Sequence, residues 1–310
     1  MELIRGLHNL RPRHRGCVAT VGAFDGVHRG HQTLLRELTQ QGAGLGLPSV
    51  VVCFEPLPRE FFAPHSSPAR LMNFREKFTA LKGLGIDRLL RIGFDERFRA
   101  VSAEDFIQRV FVQGLGVRYV VAGDDLRFGA GRGGDIDVLR AAGTVHGFDV
   151  ADTPSVLVDG QRVSSSRIRR ALERGDFGQA ERLLGRPYTM SGKVMLGRQL
   201  GRTLGVPTAN LELHRTRAPM AGVYAVEVAG FDGQGYRGVA NVGLRPTVGD
   251  RSKALLEVHI FDFDGHLYGR HIDVMFRHKI RDERKFDSLD ELKRWIAADI
   301  QASRAWFAGC

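Results

Sequence analysis

Two histidines three residues apart, His28 and His31, stand in the run Val21-Gly22-Ala23-Phe24-Asp25-Gly26-Val27-His28-Arg29-Gly30-His31. The apolar segment Cys17 to Val21 leads into this run, and Leu34, Leu35 and Leu38 follow it at helical spacing. Gly22 and Gly26 allow a sharp turn and a close approach of ligand to backbone. The histidines then fall at the first turn of a helix, where free N–H groups and the helix dipole attract anions. Two imidazoles beside such a cradle suit charge developing on phosphoryl oxygens. Surface histidines without a role are the plain alternative. Metal ligation is the other, but no Cys or acidic residue joins them at a zinc-like spacing. Two glycines coinciding with H-x-G-H at a strand-to-helix junction favour phosphate chemistry.

A second anion-binding start is offered by Arg162-Val163-Ser164-Ser165-Ser166-Arg167-Ile168-Arg169-Arg170. Its serines are good helix caps, and capping alone accounts for them; it does not account for the clustered arginines. Further on, Gly192-Lys193 and the run Gly197 to Gly205, including Gly201, combine glycines with cations and lead into Val206-Pro207-Thr208-Ala209-Asn210. Such a segment can wrap a polyphosphate or simply turn. Thr208 and Asn210 supply hard oxygens of the kind Mg²⁺ accepts beside phosphate and water. Glu257 alternates against Leu256, Val258 and Ile260, so it faces away from their apolar row, either as a solvated carboxylate or as a general base.

The elements that must position these residues alternate through the first half. Strands are expected at Cys17–Val21, Ser49–Phe54, Arg88–Phe94, Val117–Ala122 and Thr144–Val150. Helices are expected over 32–41, after Asn73 with Glu76 as a capping pair and a stop at Gly83, after Ser102 with Asp105, and over 135–142. This alternation predicts a mostly parallel sheet covered on both faces. In such sheets ligands bind beyond the carboxyl ends of the strands. His28, the segment Phe54 to Pro58 and Asp124-Asp125 all lie just past strand ends, so they should converge. Aromatics flank the segment that Pro56 and Pro58 hold extended, and they serve as core or as one wall of a flat-ring pocket.

A short helix over 177–184 ends at Gly185, and Arg186-Pro187 marks a boundary. Beyond it the rhythm changes to short alternating strands over 223–228, 238–242, 254–261 and 272–276, as in an antiparallel barrel or sandwich. Ser288 and Glu291 begin a terminal helix with Leu292, Trp295, Ile296 and Ile300 on its apolar face.

At 310 residues, 43% hydrophobic and 26% charged, the chain has the composition of a globular protein of one large or two ordinary domains. No apolar run reaches the roughly 18 residues that span a bilayer, and Met1-Glu2-Leu3-Ile4-Arg5 lacks a signal-peptide core. Cys17, Cys53 and Cys310, odd in number and far apart, fit free thiols in a reducing cytoplasm. The net charge of +10 is spread among acidic residues without a basic block. It is met by anionic small substrates, with no nucleic acid or membrane partner.

The motifs G-A-F-D-G-V-H-R-G-H, F-E-P-L-P, G-D-D-L-R-F-G, S-S-S-R-I-R, G-R-T-L-G-V-P-T-A-N, N-V-G-L-R-P-T, L-E-V-H-I-F-D-F and K-I-R-D-E-R-K-F follow one another in this order. Together they resemble the bacterial bifunctional riboflavin kinase/FAD synthetase family along nearly the whole chain. The resemblance implies an α/β, Rossmann-like nucleotidyltransferase-type parallel-sheet domain over residues 1–186, making FAD from FMN and ATP. It also implies an antiparallel β-barrel riboflavin kinase domain with a terminal helix over residues 187–310, making FMN from riboflavin and ATP, with Mg²⁺ required.

By the same resemblance His28 and His31 act on the α-phosphate, with Gly22, Phe24 and Asp125 at the nucleotide. Arg162, Ser165 and Arg169 hold the outer phosphates, and Phe54, Pro56, Pro58, Phe62 and Phe128 border the flavin. In the second domain Gly192, Lys193 and Gly201 meet ATP, Thr208 and Asn210 bind Mg²⁺ and phosphate, and Glu257 activates the ribityl hydroxyl. Arg281 lies in a segment expected to cover bound ligand. Leu126 departs from the family, where an aromatic is usual, and Asp125 stands where some members have asparagine. A monomer or weak homo-oligomer is expected.

Overall fold

Apolar runs without polar interruption become central strands, because a parallel strand covered on both faces has no solvated side. The computed structural model describes residues 1–196, 205–245 and 253–309. Gly201, the 197–204 stretch around it, Cys310 and the end of the N-V-G-L-R-P-T motif lie outside the described residues. Contacts group the chain into two units, Met1–Pro68 with Lys77–Val163, and Ala69–Glu76 with Ser164–Cys310.

In the first unit β1 (Glu2–Arg5), β2 (Cys17–Val21), β3 (Ser49–Glu55), β4 (Arg88–Gly93), β5 (Val117–Gly123) and β6 (Asp149–Thr153) form one six-stranded sheet in the order β1-β4-β3-β2-β5-β6. Every neighbouring pair is parallel. Cys17, Val18, Ala19 and Val50 to Cys53 are fully buried. The crossovers are α1 (Arg29–Leu45), α2 (Pro58–Phe62), α3 (Phe74–Gly83), α4 (Ala103–Phe106), which continues in wider π turns over Ile107–Leu115, and α5 (Ile136–His146). A hairpin, β7 (Leu157–Val158) with β8 (Gln161–Arg162), closes the unit. The strand order reverses at β2, between β3 and β5, and such a reversal is where open α/β sheets bind ligands.

The expected caps are in place: Asn73 and Glu76 bond reciprocally at the start of α3, and Ser102 accepts from the Asp105 amide. The fifth expected strand is displaced. Residues 144–146 belong to α5, which ends at Gly147 in the left-handed region (φ 74°), and the strand follows at Asp149–Thr153. Its polar residues hid it. The edge strand β1 was not expected at all.

In the second unit α6 (Ser165–Glu173) and α7 (Phe177–Leu184) precede a closed antiparallel barrel, β10-β13-β12-β11-β14-β9. Its strands are β9 (Thr189–Met195), β10 (Ala209–Glu212), β11 (Gly222–Ala229), β12 (Tyr236–Arg245), β13 (Lys253–Ile260) and β14 (His271–Arg281). Closure leaves no sheet edge unpaired. Tyr224, Val226, Leu256, Val258, Val274 and Phe276 are buried on the inward face. The terminal helix α8 (Leu289–Ala308) is capped by Ser288 and sets Ile300 on the cluster of Val223, Val239 and Phe261. Arg281 binds Asp299 of this helix with two bonds of 2.8 Å. No helix among the described residues is long and apolar enough to cross a membrane.

Candidate active sites

The loop from β2 to α1 is held in unusual backbone conformations. Phe24 and Val27 have φ of 47° and 43°, a region that costs non-glycine residues on the order of 1–3 kcal/mol. The turn delivers His28 to the N-cap of α1, where its Nδ1 accepts from the His31 amide at 3.3 Å. The two imidazoles stack, with centroids 3.7 Å apart and planes 13° apart. A side chain on Gly30 would place Cβ 3.3 Å from the His28 ring, and one on Gly22 would place it 3.0 Å from the Phe24 ring. A side chain at either position would be tight against these rings.

Burial pushes the His28 imidazole down to about 4, with Arg162 adding to the effect and Asp25 and Asp125 opposing it. Burial also takes His31 well below its ordinary value, helped by His28, Lys77 and Arg162. Both rings are therefore neutral near pH 7. Because His28 Nδ1 is an acceptor, its proton resides on Nε2, a donor for an anion. Among the described residues, His31 Nδ1 is buried without a hydrogen-bond partner. Protonation would bury charge, so this unit loses stability as pH falls from 6.5 through 4. In an NMR titration of the ligand-free protein both rings should remain neutral at about pH 6; a ring titrating at the ordinary 6.5 would refute the burial argument.

β3, β2 and β5 are neighbours, so the segment from Phe54, the histidine turn and Asp124-Asp125 share one end of the sheet. Phe54 packs against Phe94, Phe98 and Phe106, Phe62 reaches Phe94 at 5.7 Å, and Phe128 reaches Phe106 at 5.4 Å. The expected wall residues are thus one aromatic cluster. Phe128 is buried, whereas Phe62 is 62% exposed. Pro58 begins α2 and Pro56 is exposed. Phe94, Phe98 and Phe106 join these residues; none was among the expected wall residues, although their aromatic character was visible in the sequence.

Asp125 and Arg162 meet each other at 2.6 Å, and Arg162 lies 3.5 Å from Asp124. Ser155 donates to Asp124 through its hydroxyl at 2.7 Å and its amide at 3.0 Å. This network ties the end of β5 to the β7–β8 hairpin. In the second unit the cap of α6 is Ser164, which accepts from the Arg167 amide, and Ser165 is the first helical residue. Arg169 Nε donates to the Ala69 carbonyl at 2.5 Å.

The barrel brings the other candidates into one register row. Met195 pairs with Asn210, Asn210 with Glu257, Glu257 with Asn241, Asn241 with Val223, and Val223 with Arg281. Directly paired residues point to the same face, with Cβ atoms about 5 Å apart. Glu257 is half-buried between fully buried Leu256 and Val258. Thr208 immediately precedes β10, and His259 Nδ1 lies 2.9 Å from the Pro207 carbonyl. Asn241 was missed; its signal was the polar place it takes between buried Ala240 and Val242.

Gly192 has a packing role, since a Cβ there would lie 2.9 Å from the Glu212 carbonyl oxygen. Lys193 is exposed on β9. Arg281, besides its bond to Asp299, lies over the Phe286 and Trp295 rings at 5.5 and 5.4 Å. Among the described residues no three His, Cys, Asp or Glu side chains cluster to hold a metal. Cys17 is buried and its thiol is pushed up to about 12 by burial, which rules it out as a nucleophile.

Residues 10–167 match the FAD synthetase family and residues 184–307 the riboflavin kinase family. The bifunctional riboflavin kinase/FMN adenylyltransferase of Pseudomonas fluorescens is 53% identical over 98% of this chain and 97% of its own length. That of Escherichia coli K12 is 49% identical over 99% and 98%. A solved structure described as a macrolide-efflux protein from Streptococcus pneumoniae is 33% identical, with a TM-score of 0.80 over 99% of this chain and 100% of that one.

Proposed function

The chain belongs to the bifunctional riboflavin kinase/FMN adenylyltransferase family, and from that premise we propose how its residues divide the work. It is a transferase with two activities: riboflavin and ATP give FMN and ADP, and FMN and ATP give FAD and diphosphate.

In the first unit His28 and His31 donate to the α-phosphate oxygens of ATP as the FMN phosphate attacks and diphosphate leaves. The stacked, neutral pair at the start of α1 carries this reading. Gly22, Phe24 and Asp125 receive the nucleotide, and Arg162 leaves Asp125 for phosphate. Phe54, Pro56, Pro58, Phe62 and Phe128 border the flavin. Ser165 and Arg169 are phosphate-binding residues at the start of α6.

In the barrel Glu257 takes the proton of the ribityl hydroxyl as it attacks the γ-phosphate. Its register pairing with Asn210 is the observation that carries the assignment. Thr208 and Asn210 would hold Mg²⁺, which would supply positive charge against the phosphates. Gly192, Lys193 and Gly201 border ATP, and Arg281 borders the flavin. The protein acts in the cytoplasm as a monomer or weak homo-oligomer on small molecules, without nucleic acid. Chromatography of products from riboflavin, ATP and Mg²⁺ tests the reading: FMN followed by FAD is expected, and FMN alone would remove the second activity.

The functional division falls at Arg186-Pro187. Tyr188–Cys310 expressed alone should still form FMN, but unfold at a lower temperature than the kinase unit of the full chain, because it lacks Ala69–Glu76 and the α6–α7 segment whose Phe177 packs on Tyr224 and Phe276. A folded fragment that forms no FMN would place the division elsewhere.

A further inference from the structure

We infer that Glu76, a residue distant in sequence from the barrel, is a positioning residue for the kinase reaction: it clamps the β9–β10 pair on which the ATP-side residues of the barrel are carried. The inference rests on reading the barrel as the kinase site.

Ala69–Glu76 groups with the barrel rather than with the parallel sheet. Glu76 is 8% exposed and uses both carboxylate oxygens. Oε1 accepts from the Ser191 amide on β9 at 2.7 Å. Oε2 accepts from Arg215 Nη2 at 2.5 Å and from the Asn73 amide at 2.6 Å. Asn73 Nδ2 donates to the carbonyl of Leu213, just after β10, at 3.1 Å. Arg215, 6% exposed, also reaches the Tyr188 hydroxyl at 3.3 Å and the Leu71 carbonyl at 3.4 Å. Tyr188 in turn donates to Leu71 at 3.1 Å.

These bonds grip one end of a ladder. β9 and β10 pair through Lys193 with Glu212, Val194 with Leu211, and Met195 with Asn210. The clamp holds Ser191, Leu213 and Arg215 at the end where β9 begins and β10 finishes. The opposite end carries Asn210 in line with Glu257. From there the chain runs through residues 196–208, including Gly201 and Thr208, before returning as β10. A slip of one residue would turn Asn210 to the opposite face of the sheet. A buried ion pair with every oxygen bonded is suited to fix register, because removing one partner leaves an uncompensated charge.

The test uses the full chain and a double-mutant cycle. Glu76→Gln and Arg215→Gln, which approach the pair from opposite sides, should each lower kcat/KM for ATP in FMN formation about tenfold. The double variant should lose no more than the worse single one, since the two act as a unit. FAD formation from supplied FMN should be unchanged in Arg215→Gln. Hydrogen exchange should accelerate at the β9 and β10 amides, and not in β2, β3 or β5. Should a glutamine variant fail to fold, Arg215→Lys carries the test, keeping the charge without the fork, with a smaller loss confined to FMN formation. Unchanged kinase kinetics, additive losses, or exchange that quickens equally in the parallel sheet would each overturn the inference. If the unaltered protein formed no FMN, the kinase reading would fall, while the exchange measurement would still decide whether the clamp exists.

Discussion

Replacing His28 or His31 by alanine is expected to lower FAD formation from FMN and ATP by about 10²- to 10³-fold, the usual cost of losing a donor to developing charge. FMN formation from riboflavin should continue. The two imidazoles stack at 3.7 Å at the start of α1, and burial keeps both neutral before an anion arrives. An incoming phosphate reverses that balance, since a nearby negative charge favours the protonated ring. His28 also caps α1 by accepting from the His31 amide, so alanine costs about 1 kcal/mol of helix stability as well. His28→Asn separates the two effects, because asparagine caps and cannot replace the imidazole. If His28→Asn restored FAD formation, capping alone would be the residue's role. Equal loss of both products in a folded alanine variant would count against separate sites.

The histidine turn was legible because its signals are local: an apolar strand, glycines, and leucines at helical spacing. The first-half strands from Cys17, Ser49, Arg88 and Val117 were legible for the same reason, being covered on both faces. β10 was not. Ala209–Glu212 has four residues and becomes a strand through its pairing with both β9 and β13. β6 was masked by its aspartates, and the helix before it ran on to Gly147.

Glu76 shows the limit most clearly. Its capping bond with Asn73 follows from a spacing of three, and it forms. Its bond to Arg215 joins residues 139 apart, and no local pattern announces it. The same holds for the row through Asn210, Glu257 and Asn241. The alternation around Glu257 indicated which face it takes, but only the closed barrel tells what stands beside it. The depressed His28 value likewise depends on burial, which composition does not reveal.

Glu257→Gln should lower FMN formation by roughly 10² or more, with riboflavin and ATP binding largely retained and FAD formation from supplied FMN untouched. The kinase reaction needs a group to accept the proton of a primary hydroxyl whose own pKa lies far above 7. Phosphoryl transfer otherwise depends on positioning and electrostatics. Three glutamates on the described barrel strands compete for the role. Glu227 is held by Arg277 through two bonds of 3.0 and 2.7 Å, both to one carboxylate oxygen. Glu212 lies at the clamped end of β10, exposed, with His214 at 3.7 Å. Glu257 alone is register partner to Asn210 on one side and Asn241 on the other. Glutamine keeps its shape and its place in the row and removes the proton acceptor. The loss should therefore appear in kcat rather than in KM, and it should not be recovered at higher ATP. Normal FMN formation by Glu257→Gln, or a matching loss in Glu227→Gln alone, would assign the base elsewhere.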